Sequence, residues 1–273
     1  ASFTKDGDFV ATANSPLTVA TDIYTIGAGD IILNATGADD LTVNGDITIN
    51  AEAGTVALIA EGGNIVLGVA PLPPLSKVAI NAAEFLYIIS QNGNIVVNTT
   101  TLLDATSMIL ATAPTGSITI NNDSELYMAG GNATISTAAV TTTTNSSLSA
   151  DLGSLVFDSN VQTVNLSTID LAGVGVTYFD GADVTVTATT GIALGETLAS
   201  GDLTLTGALT LLDSLTANDT LTIGEFDSGA RNAFTNAEIT AGAIDIMASD
   251  ITGSTFTAAT KAAIGTTDGV TEA

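Results

Sequence analysis

One short phrase recurs along the chain: a glycine, a small polar residue, then β-branched residues at alternate positions. It reads Gly45-Asp46-Ile47-Thr48-Ile49-Asn50, Gly63-Asn64-Ile65-Val66-Leu67-Gly68, Gly93-Asn94-Ile95-Val96-Val97-Asn98 and Gly116-Ser117-Ile118-Thr119-Ile120-Asn121. A degenerate copy runs Gly131-Asn132-Ala133-Thr134-Ile135-Ser136, and a related one runs Gly201-Asp202-Leu203-Thr204-Leu205-Thr206. Each phrase is a strand reached through a glycine turn. Period two directs Ile47/Ile49, Ile65/Leu67, Ile95/Val97 and Ile118/Ile120 to one side, the core. Weaker strands are expected between them at Thr55–Ile59, Glu84–Ile88, Met108–Leu110 and Glu125–Met128.

Such a chain is all-β, and two architectures accommodate it. A parallel β-helix (β-solenoid) stacks the same phrase coil on coil. An antiparallel β-sandwich also gives short, evenly spaced strands. The intervals 45 to 63, 93 to 116 and 116 to 131 are near one coil, which favours the solenoid. So does the placement of Asn44-Gly45, Asn92-Gly93 and Asp180-Gly181, which lead into phrases instead of joining paired strands. Asn50, Asn98 and Asn121 close three phrases at the same position. Stacked one strand apart, their amides would form a hydrogen-bonded ladder; as turn residues they would simply follow strands.

The prolines of Val69-Ala70-Pro71-Leu72-Pro73-Pro74-Leu75 cannot donate to a sheet, so this segment is expected to loop out. Residues 138–150, with Thr141–Thr144 and Asn145-Ser146-Ser147, form a second expected irregular stretch. The organisation read from the sequence is therefore an N-terminal extension at 1–21, serving as a cap or assembly strand, a regular solenoid at 22–150, and a less regular continuation at 151–273.

The net charge of -25 with 12% charged residues reflects scarce cations, which are Lys5, Lys77, Arg231 and Lys261. A scattered set of four cannot neutralise nucleic-acid phosphates or anionic lipid. The 45% hydrophobic content separates the chain from disordered acidic sequences. Without cysteine or histidine there is no disulfide and no thiolate or imidazole metal site. The longest apolar run, Ile65 to Leu75, is too short to span a membrane and is broken by Pro71, Pro73 and Pro74. The chain begins at Ala1 without a basic or apolar leader, as a mature exported product would. An extracellular or cell-surface location is expected.

The series GDITIN, GGNIVLG, NGNIVVN and GSITIN over residues 30–136 resembles the repeats of secreted parallel β-helix surface proteins of the filamentous haemagglutinin and large-adhesin type. That resemblance implies attachment or assembly at a surface and transfers no catalytic residue.

Ser-His-Asp and Cys-His chemistry require an imidazole that is absent. Paired carboxylates at Asp39-Asp40, Asp123/Glu125, Asp180/Asp183 and Glu225/Asp227 could serve a carbohydrate-active enzyme, but Trp is missing and cations are scattered. Calcium is the better use of such acids, and Asp180, Asp183, Asp6 and Asp8 are the candidate ligands, against a reading as ordinary Asp-Gly turns. No other cofactor is expected. Asn-x-Ser/Thr sequons stand at Asn34, Asn98, Asn122, Asn132, Asn145, Asn165 and Asn218. Asn145 and Asn218 lie in loop-like sequence, and Asn34 and Asn165 are further acceptors.

Three functions are compatible with these readings. The first is an extracellular structural protein that self-assembles into a filament or layer, with Phe3, Phe9 and Val10 completing a neighbour's sheet. The second is an adhesin whose rigid stalk presents loops 69–77 and 138–150 to host or neighbouring-cell glycans. The third, a carbohydrate-active enzyme, is the least favoured. The expected partner is a further copy of the chain, with no nucleic acid and no membrane insertion.

Overall fold

The computed structural model describes the chain apart from residues 1, 6, 69–75, 122, 143–144, 212, 225–231, 236, 248–249, 253, 267–268 and 273, with backbone alone at 2–5, 233, 235, 247, 250–252, 265–266 and 269–272. The described residues form strands and turns without a helix. The chain winds into a β-solenoid with three strands per coil. One coil consists of Ile47–Ala51 on a first face, Val56–Ala60 on a second and Ile65–Leu67 on a third. Each strand pairs in parallel with its counterpart in the coils before and after. The antiparallel sandwich is thereby excluded.

Segment 1–21 forms the first coil, with Ser2–Lys5, Phe9–Ala13 and Leu17–Val19 each pairing in parallel with the second coil of the same chain. Within 138–150, read as irregular, Ala139–Thr142 and Ser147–Asp151 are strands, each paired in parallel with the coils on either side. The proline segment 69–75 lies outside the described residues. Gly269–Glu272 departs from the pattern by pairing antiparallel with the end of Thr255–Thr266.

The core is a set of columns running along the solenoid axis, because in-register parallel stacking sets each inward residue on its equivalent one strand away. On the third face one column passes from Leu17 through Leu41, Ile65, Ile95, Ile118 and Val140, and continues through Val164, Val186 and Leu205. On the second face Phe157 and Phe179 stack with ring centroids 4.8 Å apart and planes inclined by 8°. That separation is the strand spacing itself, so the coil repeat dictates the aromatic geometry.

The glycine-led phrases do not form one stack. The phrases opened by Gly63, Gly93, Gly116 and Gly201 lie on the third face, the Gly45 phrase on the first and the Gly131 phrase on the second. A coil has three corners, and a glycine turn followed by a strand suits any of them. The intervals 45 to 63 and 116 to 131 are therefore steps around a coil, while 63 to 93 and 93 to 116 are full turns. The asparagine ladder is divided accordingly. Asn50 faces Asn81 on the first face, while Asn121 donates through Nδ2 to Asn98 Oδ1 at 3.5 Å beyond the third.

Glycine is required at these corners by space. A Cβ on Gly93 would lie 2.4 Å from the Gly63 carbonyl oxygen, and one on Gly116 would lie 2.6 Å from that of Gly93. Both contacts are to backbone that cannot yield without parting the coils. Gly93→Ala is therefore expected to lower the melting temperature clearly. In the same third-face strand Ile95 is fully buried and Val96 faces outward. Ile95→Asp would bury an unpaired charge and is expected to cost about 4 kcal/mol or more. Val96→Asp should cost a small fraction of that, and equal losses in thermal or urea unfolding would reverse the face assignment.

Candidate functional site

Several acidic residues stand at corners, where they act on the backbone of the following coil. Asp8 Oδ1 accepts the Asp30 N–H at 3.0 Å, and Asp30 Oδ1 in turn accepts the Thr55 N–H at 2.8 Å. Asp22 receives the Thr48 N–H at 2.8 Å and Asp202 the Thr220 N–H at 2.7 Å. A mixed ladder opens the third face: Asp40 Oδ1 accepts the Asn64 N–H at 2.7 Å, Asn64 Oδ1 the Asn94 N–H at 2.9 Å, and Asn94 Oδ1 the Ser117 N–H at 2.9 Å. The side-chain ladder anticipated at the close of the phrases is thus best developed at their openings. A strand leaving a corner has an amide that its parallel partner does not satisfy, and an Asp or Asn one coil below supplies the acceptor.

This placement separates the calcium candidates. Asp8 is engaged with the Asp30 amide, and Asp6 lies outside the described residues. Asp180 and Asp183 flank the corner at Gly181, with Asp183 in register with Asp202 of the next coil. No group of three or more acidic side chains able to hold a metal occurs among the described residues. Of the paired carboxylates, Asp40 belongs to the Asn64 ladder, and Glu125 accepts the hydroxyl of Ser149. Asp123 occupies a left-handed turn with φ 56°, and Glu225 and Asp227 fall outside the described residues.

The sequons differ in setting. Asn145 is exposed at a bend, Asn218 is exposed at a corner, and Asn165 is exposed on the third face. Asn34 is half-buried within the second face, where its Nδ2 donates to Glu61 Oε1 at 3.5 Å. Asn122 is outside the described residues. Of the assembly candidates, Phe9 is in register with buried Ile31 and packs on the chain's own core, whereas Val10 points outward and is 59% exposed. The side chain of Phe3 is not described.

The exterior of the second face was not singled out in the sequence. Its central outward column runs Val10, Ile32, Ala57, Tyr87, Ile109, Thr134, Val156, Tyr178 and Leu198. Around Tyr87 it broadens, with Ile59, Ile89 and Phe85 beside it. Phe85 is 44% exposed and stacks with Tyr87 at 6.1 Å. Asn132, Thr134 and Ser136 then form a wholly polar row. Beyond that row a groove of about 460 Å3 opens between Tyr178 and the corner formed by Asp180, Ser200 and Asn218. A second groove, of about 520 Å3, follows the corner between the first and second faces past Glu52, Asn81 and Asp104. By contrast, the first face intersperses Asn50, Asn81, Asp104, Asp151 and Asp170 among its outward residues.

Comparison with protein-family models, with curated proteins and with solved structures returned no match.

The corner hydrogen bonds yield a direct test. Asp30→Ala removes the acceptor for the Thr55 amide and is expected to cost about 1–3 kcal/mol. Asp30→Asn keeps an Oδ1 at that position and should recover most of the loss in chemical unfolding, because the bond depends on the oxygen and not on the charge.

Proposed function

We propose that this chain is a non-catalytic structural protein of the cell exterior that associates with further copies of itself through the second face of its solenoid. The observation that carries this reading is the uncharged outward surface from Val10 to Thr134, flanked by corners that hold the acids. In a chain of net charge -25, two copies repel each other over most approaches. Face-to-face contact over this surface buries apolar groups without burying a carboxylate. A sheet face is also self-complementary under a two-fold rotation, which suits pairing of identical molecules.

Its size sets the strength of the contact. Six strands at about 4.8 Å spacing and five residues of width at about 3.3 Å each give about 500 Å2 per partner. The total of about 1,000 Å2 is at the lower limit for a specific interface. Single contacts are therefore weak, and ordered assembly depends on many of them acting together. A polymer or layer, held by repetition, fits this surface better than a tight dimer does. Catalysis has less support: the chain has no imidazole or thiol, and several of its acids already hold backbone amides.

Sedimentation velocity and electron microscopy test the proposal. Assembly is expected to increase with ionic strength, since salt screens the repulsion between acidic copies and leaves apolar burial intact. Tyr87→Lys combined with Ile109→Lys should abolish assembly while the melting temperature stays within a few degrees of the parent, both side chains being outward. Monomers at every salt and protein concentration, or assembly unaltered by the double substitution, would overturn it.

A further inference from the structure

We infer that the groove beside Tyr178 is a binding site for a neutral pyranose sugar. It lies beyond the polar row at Asn132, Thr134 and Ser136, and the inference stands independently of the assembly proposed above.

The groove arises from a step in side-chain size. Along the second face the inward column falls from Phe157 and Phe179 to Ala199 and Ala217, and the outward column falls from Tyr178 and Leu198 to Thr216. The surface drops on passing from one coil to the next, and Phe179, Ala199 and Leu198 become its floor. Tyr178, 40% exposed, forms one wall. The opposite wall is a corner whose shape is fixed by its own hydrogen bonds. The Asp180 N–H donates to the Phe157 carbonyl at 2.8 Å, Ser200 Oγ donates to the Gly181 carbonyl at 3.3 Å, and Asn218 Nδ2 donates to the Ser200 carbonyl at 3.3 Å. The exposed Asp180 carboxylate therefore stands on a held backbone, two residues along the chain from the exposed ring of Tyr178, and both line the groove.

Each part selects ligand chemistry. An exposed phenol ring with an adjoining aliphatic floor favours a flat, apolar molecular face. A carboxylate with amide and hydroxyl neighbours on the rim favours a ligand edge rich in hydroxyl donors. No Lys or Arg lines the groove, so nothing there compensates an anion, and Asp180 repels one. A neutral pyranose has both an apolar C–H face and an equatorial edge of hydroxyls. The volume of about 460 Å3 is within the range usual for small-ligand sites, about 300–1,000 Å3. Asn218 is also the acceptor position of a sequon, so a glycan there would extend from a residue that lines the groove.

The test is titration of the unmodified protein with methyl β-galactoside, a chain-end probe, and with cellohexaose, a chain-interior probe, followed by NMR or calorimetry. Choline serves as a cationic control. One of the two sugars is expected to bind with a Kd of about millimolar, as suits an open site. Binding by either sugar supports the inference. Tyr178→Ala and Asp180→Asn should each weaken binding at least tenfold with no change in melting temperature, and Tyr87→Lys with Ile109→Lys should leave it unaltered. Absence of binding by either sugar, choline binding more tightly than both, or sugar binding insensitive to Tyr178→Ala and Asp180→Asn would overturn the inference.

Discussion

The hydrogen bonds between coils set one repeat distance, and the rest of the molecule adjusts to it. Among the described residues every strand except Gly269–Glu272 is bonded in parallel to its counterpart one strand spacing away, so the nearest neighbour of a side chain is the residue at the equivalent position of the next coil. Stacked columns of Leu, Ile and Val follow inside. The face-to-face contact of Phe157 and Phe179 at 4.8 Å follows as well, an arrangement that free aromatic pairs adopt less readily than an offset or edge-on one. At corners the same distance leaves no room for a Cβ between Gly63 and Gly93 or between Gly93 and Gly116. The corner amides that the sheet leaves over are met by Asp and Asn from the coil below. The acidity of the chain is in this respect a by-product of its winding, because each such Asp supplies an acceptor to the backbone and carries its charge to the surface.

This constraint explains what could be read from the sequence and what could not. Inward residues such as Ile65, Ile95 and Ile118 stand out because one face is buried and the other wet, so period two is visible. Parallel stacking was legible for a similar reason, since equivalent positions must carry compatible residues and the phrase therefore recurs. The face on which a phrase lies was not legible. A glycine turn and a strand fit any of three corners, and coil lengths vary enough that the interval from Gly45 to Gly63, a step around the coil, passes for a turn. The expected asparagine ladder was met only in part, between Asn98 and Asn121, for a related cause. Asn50 and Asn98 share a place in the phrase but not a face, whereas the stacked Asn64 and Asn94 follow the glycine at the same corner.

The second-face exterior was concealed by the signal that revealed the core. Phe85-Leu86-Tyr87-Ile88-Ile89 is apolar at five successive positions, so alternation cannot distinguish Leu86 and Ile88, which are buried, from Phe85 and Tyr87, which face out. Val10 and Phe9 have the same ambiguity. Only the pairing of Phe9 with Ile31 and Val10 with Ile32 separates the residue that closes the chain's own core from the one presented to the outside. The Tyr178 groove was hidden differently. Asp180, Ser200 and Asn218 come from successive coils and are nearly forty residues apart end to end in sequence, and the axis of the solenoid brings them into one row.

The contrast between faces gives the outward apolar column its meaning. Strand propensity alone accounts for outward Val, Ile and Thr, and the third face shows that outcome, with Thr42, Val66, Val96, Thr119 and Thr141 forming its outward column. Propensity does not explain why the acids and amides dispersed over the first face are missing from the second between Ala57 and Ile109. Nor does it explain why the exposed, stacked pair of Phe85 and Tyr87 falls at the centre of that interval. Solubility opposes such a surface, and an isolated solenoid gains nothing by maintaining it. In the assembly proposed above, a contact made there by another copy is the physical circumstance in which the arrangement lowers free energy. The acids at the surrounding corners would then favour approach through an uncharged face, and the exposed aromatic pair of Phe85 and Tyr87 distinguishes the second face from the Thr- and Val-covered third.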